Sequence, residues 1–152
     1  MHVFDSKIKQ NLGKYLWQCS LATLSILAIM LSLDIVLHTA IITSLGATTF
    51  IVFAMPKAYP AQPRPLLGGY LVGTSAGVLC SLLARCVPWM HGDPIVPSVI
   101  VGSIAVGLAI FLMVITDTEH PPAAGIALGL VLNPWDYRTL AFILGSNILL
   151  TL

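Results

Sequence analysis

Residues 94–116, PIVPSVIVGSIAVGLAIFLMVIT, form a stretch without Asp, Glu, Lys or Arg. They are followed at 117–122 by DTEHPP, in which three ionisable side chains precede two prolines. A helix needs about 20 apolar residues to cross the ~30 Å hydrocarbon core of a bilayer. The first stretch therefore predicts a transmembrane helix over about 95–115, and the polar residues and prolines that follow predict its end.

Three further stretches lack all four charged residue types: 15–33, 35–56 and 65–84. In the whole chain 57% of the residues are hydrophobic and 9% are charged, whereas about 25% are charged in soluble domains. Such a chain lacks the charged side chains of a water-facing surface. We expect a single transmembrane domain over 15–152, preceded by a polar lead-in at 1–14.

The composition also argues against several function classes. The net charge is +1 and no basic run is longer than Lys7-Ile8-Lys9, so no nucleic-acid partner is expected. Cys19, Cys80 and Cys86 form no CxxC pair, which argues against a zinc site or a disulfide framework. No phosphate-binding glycine loop or nucleophile elbow is present. We therefore expect neither a cofactor nor a metal, and no enzymatic activity.

The positions of the few charges predict the topology. Lys7, Lys9 and Lys14 precede the first apolar stretch, so the positive-inside rule places the N-terminus in the cytoplasm, and we expect the bacterial inner membrane. A second span is predicted over about 37–55. A proline-rich loop follows it, and a third span is predicted from Leu66 to about Ala84.

The segment after the two prolines is too short to cross a bilayer. Residues 121–133 would form a helix of about 20 Å, which fits a half-helix or a re-entrant segment buried in protein. The last segment, 138–152, is also slightly short. The predicted fold is all-α: a polytopic transmembrane helical bundle of four to five spans with a short half-helix after 120–122.

The hydropathy pattern also indicates two weakly similar halves. Each half has a long span, a break, a small-residue segment, a proline, a polar loop with one arginine, and a glycine-bearing helix. The long spans are 15–33 and 95–115, and the small-residue segments are 40–55 and 121–133. Many transporters pair two such repeats around interrupted helices.

His120-Pro121-Pro122 is the most specific local feature. Proline is favoured at the first helical position, so His120 is predicted at the N-terminal end of the short helix, where free N–H groups attract anions. Asp117 and Glu119 could pair with His120 or carry protons. The alternative is that both acids are solvated loop charges and that His120 is a simple helix cap.

Arg64 lies between Pro63 and Pro65, and the same reasoning places it at the start of the third helix. It could bind an anion or a lipid phosphate. The alternative is an ordinary interfacial arginine.

Two groups of small residues have both a functional and a packing explanation. Thr48 and Thr49, close to Gly46, could line a polar path, or their hydroxyls could bond within their own helix. The glycines at 69, 73 and 77 form a small-xxx-small face that allows two helices to approach closely. Asp34 and His38 lie one helical turn apart and could face each other.

Four motifs, in this order and spacing, resemble the HPP family of integral membrane proteins. They are LGATT at 45–49, AQPR at 61–64, GG at 68–69 and HPP at 120–122. The resemblance implies four or five membrane segments and, from members in chloroplasts and cyanobacteria, nitrite transport. It marks six site positions: Gly46, Gln62, Arg64, His120, Pro121 and Pro122.

The chain departs from the family pattern at two places. Many members continue HPP with Ala-Gly-Ala-Thr, whereas this chain has Ala-Ala-Gly-Ile at 123–126. Tyr70 stands where a histidine often follows the double glycine. If these positions touch substrate, the departures leave the preferred anion open.

These observations predict a membrane transporter or channel for a small inorganic anion, with nitrite as the first candidate. The predicted substrate-binding residues are Gly46, Thr48, Thr49, Gln62, Arg64, His120, Pro121 and Pro122, and the predicted proton-coupling residues are Asp117 and Glu119. The expected partners are the lipid bilayer, the anion and other copies of the chain. The alternative is a non-transporting oligomeric membrane scaffold or regulatory partner, assembled through the glycine faces.

Overall fold

The computed structural model describes residues 39–86 and 95–152, together with Gly13, Trp17 and Ser20 as isolated positions. These residues form five α-helices and a 3₁₀ turn, Tyr59–Ala61, and they contain no strand. The helices are α1 (Thr39–Ala54), α2 (Pro63–Arg85), α3 (Ile95–Thr116), α4 (Pro121–Leu132) and α5 (Tyr137–Thr151). The predicted all-α fold is confirmed. Apart from the three isolated positions, the predicted lead-in at 1–14 and first span at 15–33 lie outside the described residues, as do Asp34 and His38.

Two of the described helices are long and apolar enough to cross a membrane, namely Pro63–Arg85 and Pro97–Thr116. Two shorter apolar helices, Thr39–Ala54 and Pro121–Leu132, accompany them. α2 begins three residues before the predicted start at 66. Prolines are tolerated in the first turn of a helix, where their missing N–H has no partner to lose.

A run of glycines brings α2 against α4. A Cβ at Gly69 would lie 2.6 Å from the Cβ of His120, and one at Gly77 would lie 2.8 Å from the Cα of Ala127. A Cβ at Gly73 would collide with the backbone carbonyl of Ala123. The two helices therefore run parallel in close contact. The predicted close approach of two helices at this glycine face is confirmed, and because α4 of the same chain covers the face, the alternative that this face assembles copies is wrong.

The remaining helices alternate in direction around α4. Gly125 lies against Ser44, and Gly129 lies against Ile41, so α1 runs antiparallel to α4. Asn147 of α5 donates from Nδ2 to the carbonyl of Leu66 at 3.1 Å, which places the end of α5 beside the start of α2. We call the end where α2 starts and α3 ends the upper end, and the opposite end the lower end.

α4 passes through the bundle instead of turning back on itself. His120, before its first residue, lies at the level of Gly69 near the upper end. Trp135, after its last residue, donates from Nε1 to Ser81 Oγ at 3.0 Å near the lower end of α2. The sequence allowed a half-helix or a re-entrant segment. The structure shows a short helix that is buried in protein and flanked by non-helical residues at both ends.

The outer face of α3 is apolar. Seven large hydrophobic side chains are exposed there: Val99, Ile100, Ile104, Ile110, Phe111, Val114 and Ile115. The buried residues of α4 are mostly small or aliphatic, and Ala123, Ala127 and Leu130 are fully enclosed. An apolar exterior around a close-packed interior is the arrangement expected of a bundle in lipid.

Candidate functional site

His120 occupies the break between α3 and α4 but does not cap α4 with its side chain. Its backbone is extended, with φ −132° and ψ 93°, and it is the N-cap residue before Pro121 and Pro122. The side chain makes no capping hydrogen bond and is fully buried. The two prolines fix the start of the helix, and the imidazole is directed into the bundle interior.

Hydrogen bonds hold the ring on both of its nitrogens. Nδ1 lies 2.9 Å from the carbonyl oxygen of Pro60, and Nε2 lies 2.9 Å from Oγ1 of Thr48. The same Thr48 oxygen is 2.7 Å from the hydroxyl of Tyr70, which is also fully buried. We call His120, Thr48, Tyr70 and the Pro60 carbonyl the buried node. It joins α1, α2 and the loop between them to the start of α4.

The partners define which ring nitrogen carries hydrogen. A carbonyl only accepts, so Nδ1 of His120 donates to Pro60. In the neutral ring, Nε2 accepts from Thr48, which in turn accepts from Tyr70.

The node also has partners for a protonated ring. Thr48 Oγ1 lies 3.1 Å from the carbonyl of Ser44 as well. With His120 protonated, Nε2 donates to Thr48, and the Thr48 hydrogen turns to Ser44. Both protonation states of His120 are therefore satisfied when one hydroxyl hydrogen rotates.

The first turn of α4 offers fewer free N–H groups than the sequence led us to expect. Pro121 and Pro122 have no N–H, and the N–H of Ala123 donates to the His120 carbonyl at 2.9 Å. An anion site at this helix start stays a prediction, and it would depend mainly on side-chain donors.

A second polar group lies at the surface of the upper end. Arg64 Nη1 is 3.3 Å from Asp117 Oδ2, and Arg64 Nη2 donates to the carbonyl of Thr116 at 3.2 Å. The Tyr59 hydroxyl is 2.8 Å from Asp117 Oδ1. We call Arg64, Asp117 and Tyr59 the exposed cluster, because the Arg64 and Asp117 side chains are 69% and 63% exposed. Chiefly by its hydrogen bond, the Asp117 carboxylate raises the pKa of Tyr59 to about 12.

Asp117 also ends α3. Its φ of 53° is left-handed, which Asp tolerates better than most residues. Its N–H donates to the Val114 carbonyl, and the N–H of Thr118 donates to the Met113 carbonyl. This Schellman-type ending satisfies carbonyls at the end of α3 and directs the chain inward toward His120.

Two cavities meet at Pro121. One, of about 640 Å³, lies between α1 and α4 and is lined by residues that include Thr43, Ser44 and Pro122. The other, of about 250 Å³, lies between α3 and α4 and is lined by residues that include Glu119 and His120. Pro121 lines both cavities. The start of α4 therefore separates two spaces on opposite sides of the helix.

A family model described as "HPP, transmembrane region" matches residues 7–152. The chain belongs to the HPP transmembrane family. A transmembrane protein of Dictyostelium discoideum is 32% identical over 88 residues, which cover 58% of this chain and 28% of that relative. The matched part thus spans under a third of the relative's length. No solved structure matches the chain. The HPP protein is accordingly an integral membrane protein.

The other predicted site residues of the HPP protein lie at different depths. Gln62 is exposed and precedes α2, where its side chain makes no capping hydrogen bond. Gly46 is half-buried, and the buried Thr49 hydroxyl donates to the Leu45 carbonyl in its own helix. Glu119 is half-buried on the cavity that His120 also lines.

The structure brings some of the predicted residues together and adds others. His120 and Thr48, 72 residues apart, are in direct contact, whereas Arg64 contacts Thr116 and Asp117. Sequence reasoning did not identify Pro60 or Tyr59 as partners. It singled out Tyr70 only as a departure from the HPP family pattern. Tyr70 is a member of the buried node. Its departure from the family pattern was the signal in the sequence that could have identified this position.

Proposed function

We propose that this HPP protein is a membrane transporter or channel for a small inorganic anion, and that nitrite is that anion. The resemblance to family members implicated in nitrite transport supports the choice of ion. The observation on which the proposal depends most is that the signature histidine is buried at a helix break and hydrogen-bonded to the Thr48 hydroxyl of α1, which is itself bonded to the Tyr70 hydroxyl of α2. We propose no enzymatic activity.

The buried node supplies donors in a part of the bundle that otherwise contains few. An anion leaving water needs compensating hydrogen bonds, and hydroxyl and imidazole N–H groups provide them without a fixed charge. In the protonated state, Nε2 of His120 and the hydroxyls of Thr48 and Tyr70 form a cluster of donors. A small anion could replace the internal acceptors of this cluster, whereas a large one would not fit.

The two cavities at Pro121 provide an approach from either side of α4. The larger one has the hydroxyls of Thr43 and Ser44 on its α1 side. The smaller one reaches His120 and Glu119. In the proposed path the anion passes the start of α4, where Pro121 and Pro122 leave no backbone N–H to bind it tightly. Weak binding at such a point favours release.

Proton coupling, if the protein is a carrier, is assigned to Glu119 more readily than to Asp117. Glu119 shares a cavity with His120, so a proton could move between the two groups inside the bundle. Asp117 faces outward and is paired with Arg64. We therefore propose Glu119 as the coupling acid and Asp117 as an acid of the exposed cluster.

The test is nitrite flux in proteoliposomes with a matched pair of variants. Thr48→Val removes a node hydroxyl, whereas Thr151→Val makes the same change at a hydroxyl that bonds to the Asn147 carbonyl of its own helix and lines neither cavity. We expect Thr48→Val to reduce flux by about tenfold, the effect of about 1.4 kcal/mol, and Thr151→Val to leave it near wild type. Glu119→Gln should abolish the response to a pH gradient, while Asp117→Asn should retain it.

Wild-type flux no greater than that of empty liposomes would refute nitrite transport. Equal flux in Thr48→Val and Thr151→Val would show that the buried node has no part in it. A panel of chloride, nitrate and formate in the same vesicles would identify another small anion if nitrite is not the substrate.

The scaffold alternative loses one of the glycine faces on which it was based, whereas a Cβ at Gly107 of α3 would meet nothing within 4 Å. The Gly69–Gly73–Gly77 face is covered by α4 of the same chain. A homo-oligomer in the bacterial inner membrane, with the N-terminus in the cytoplasm, remains part of the proposal. Cross-linking in native membranes and accessibility labelling of Lys7 would test these two points.

A further inference from the structure

A third cavity lies at the lower end of the bundle, away from the HPP motif. Its volume is about 330 Å³, and it is enclosed by the ends of α2 and α4 and the first turns of α3. Four polar side chains line it: Ser81, Arg85, Ser98 and Asn133. It thus combines an arginine with hydroxyl groups, which the two cavities at Pro121 do not.

The charge of Arg85 has no acid to balance it in the part of the chain that the structure describes. Its guanidinium lies 5.5 Å from the centre of the Trp135 ring, whereas the ion pair at the upper end joins Arg64 and Asp117. A guanidinium has five N–H donors, and an aromatic ring provides no carboxylate or carbonyl for them. The donors of Arg85 are therefore available to a ligand in the cavity.

Two hydroxyls accompany the arginine. Ser81 is buried, and its oxygen accepts from Trp135 Nε1 at 3.0 Å, which leaves its own hydrogen free to donate. Ser98 is half-buried and lines the cavity from α3. The Asn133 amide nitrogen uses one of its two hydrogens on the Gly129 carbonyl.

The depth of the cavity matches that of lipid headgroups. α2 has 23 residues and is about 34 Å long, slightly more than the ~30 Å hydrocarbon core, so Arg85 in its last turn lies at the interface. Trp135 beside it belongs to a residue type enriched at that level. Basic pockets between transmembrane helices are a known way of holding anionic headgroups.

We propose that the lower cavity binds a phosphate group through the Arg85 guanidinium and the Ser81 and Ser98 hydroxyls. Paired N–H donors of arginine match the oxygens of phosphate, and hydroxyls complete the coordination. An anionic phospholipid headgroup and free inorganic phosphate present the same chemistry to these groups. The proposal does not depend on nitrite transport.

Trp135 makes the site observable, because it contacts both Arg85 and Ser81. The chain has three tryptophans, so replacing Trp17 and Trp89 by Phe leaves Trp135 as the fluorophore. The protein in neutral detergent is titrated with sodium phosphate and, at matched ionic strength, with sodium chloride. It is also placed in phosphatidylcholine nanodiscs with and without phosphatidylglycerol.

We expect a saturable change in Trp135 emission that Arg85→Gln weakens by about tenfold or more, as for the loss of a charge-assisted hydrogen bond. The matched control is Arg138→Gln, which removes the same charge from an arginine that lies near Tyr137 and does not line the cavity. It should leave the titration unchanged. Ser98→Ala should weaken binding severalfold and keeps the charge.

A response to phosphate in detergent identifies a free-phosphate site, and a response to phosphatidylglycerol alone identifies a headgroup site. The proposal is overturned if neither ligand changes the emission, or if Arg85→Gln and Arg138→Gln behave alike. If Arg85→Gln does not fold, the comparison passes to Ser98→Ala, and unaltered titration in that variant would reject the site.

Discussion

The buried node and the exposed cluster connect the same two segments of the chain, one in the bundle interior and the other at the solvent-exposed surface. Both connect the α1–α2 loop to the break between α3 and α4: the node joins Pro60 to His120, and the cluster joins Tyr59 to Asp117. The node contains fully enclosed side chains without a formal charge when His120 is neutral, whereas the cluster contains an ion pair open to solvent.

This difference determines what each group contributes. An exposed ion pair adds up to about 1 kcal/mol and weakens in salt, because water solvates the separated charges almost as well. A buried hydrogen-bonded group that loses its partner costs about 1–3 kcal/mol, because no water replaces the partner. We therefore expect stability at the upper end to depend on the uncharged node more than on the salt bridge.

The largest effect is expected for His120→Ala. It removes a fully buried ring and leaves the Pro60 carbonyl and the Thr48 hydroxyl without that partner. We expect the free energy of unfolding in detergent to fall by about 3 kcal/mol. Arg64→Ala, which breaks the exposed ion pair, should lower it by about 1 kcal/mol or less. Equal losses for the two variants would contradict the distinction.

A matched pair of tyrosines tests the same distinction with one chemical change. Tyr70→Phe removes the hydroxyl from the buried node, and Tyr59→Phe removes it from the exposed cluster. We expect a loss of about 1–2 kcal/mol for Tyr70→Phe and a smaller loss for Tyr59→Phe, because water can replace the partner of an exposed hydroxyl. Chemical unfolding of both variants under one set of conditions measures the difference, and a larger loss at Tyr59 would reverse our ranking.

The smallest effect on stability, but a clear spectroscopic one, is expected for Asp117→Asn. Asn tolerates the left-handed backbone of this position, so the end of α3 should persist. Without the carboxylate, the pKa of Tyr59 should fall from about 12 toward its ordinary 10.0. Phenolate absorbance, taken as the difference between each protein and its Tyr59→Phe form, follows this titration.

The sign of the pH dependence follows from the raised pKa. Folding favours the protonated form of Tyr59, so its contribution to stability is complete below pH 10 and is lost as the pH rises through about 12. Asp117→Asn should remove this alkaline loss. An unchanged Tyr59 titration in that variant would show that the carboxylate is not its cause.

The sequence predicted the helices well because the evidence for them is local. Long charge-free stretches and prolines determine where a helix in lipid begins and ends, so α3 and the short α4 were placed within one or two residues. The position of Arg64 at the start of α2 followed from its flanking prolines in the same way. The contacts that these helices make with one another are not encoded locally, and the structure changed the interpretation of several residues for that reason.

The candidate site was only partly predictable. His120 and Thr48 were both singled out, but each for a reason within its own segment. Their contact depends on how α1 packs against α4, which no spacing in the chain specifies. The helix start of α4 has fewer free N–H groups than expected for a simpler reason: the two prolines that mark the start have no N–H, and the N–H of Ala123 donates to the His120 carbonyl.

By itself the sequence determined that this is a membrane protein, that it resembles the HPP family, and where most of its described helices lie. It did so because charge, hydropathy and proline act on neighbouring residues. Only the tertiary structure decided that the Gly69–Gly73–Gly77 face holds α4 and that His120 bonds to Thr48 and Pro60. Which surfaces meet depends on the packing of whole helices, and that packing joins residues far apart in the chain.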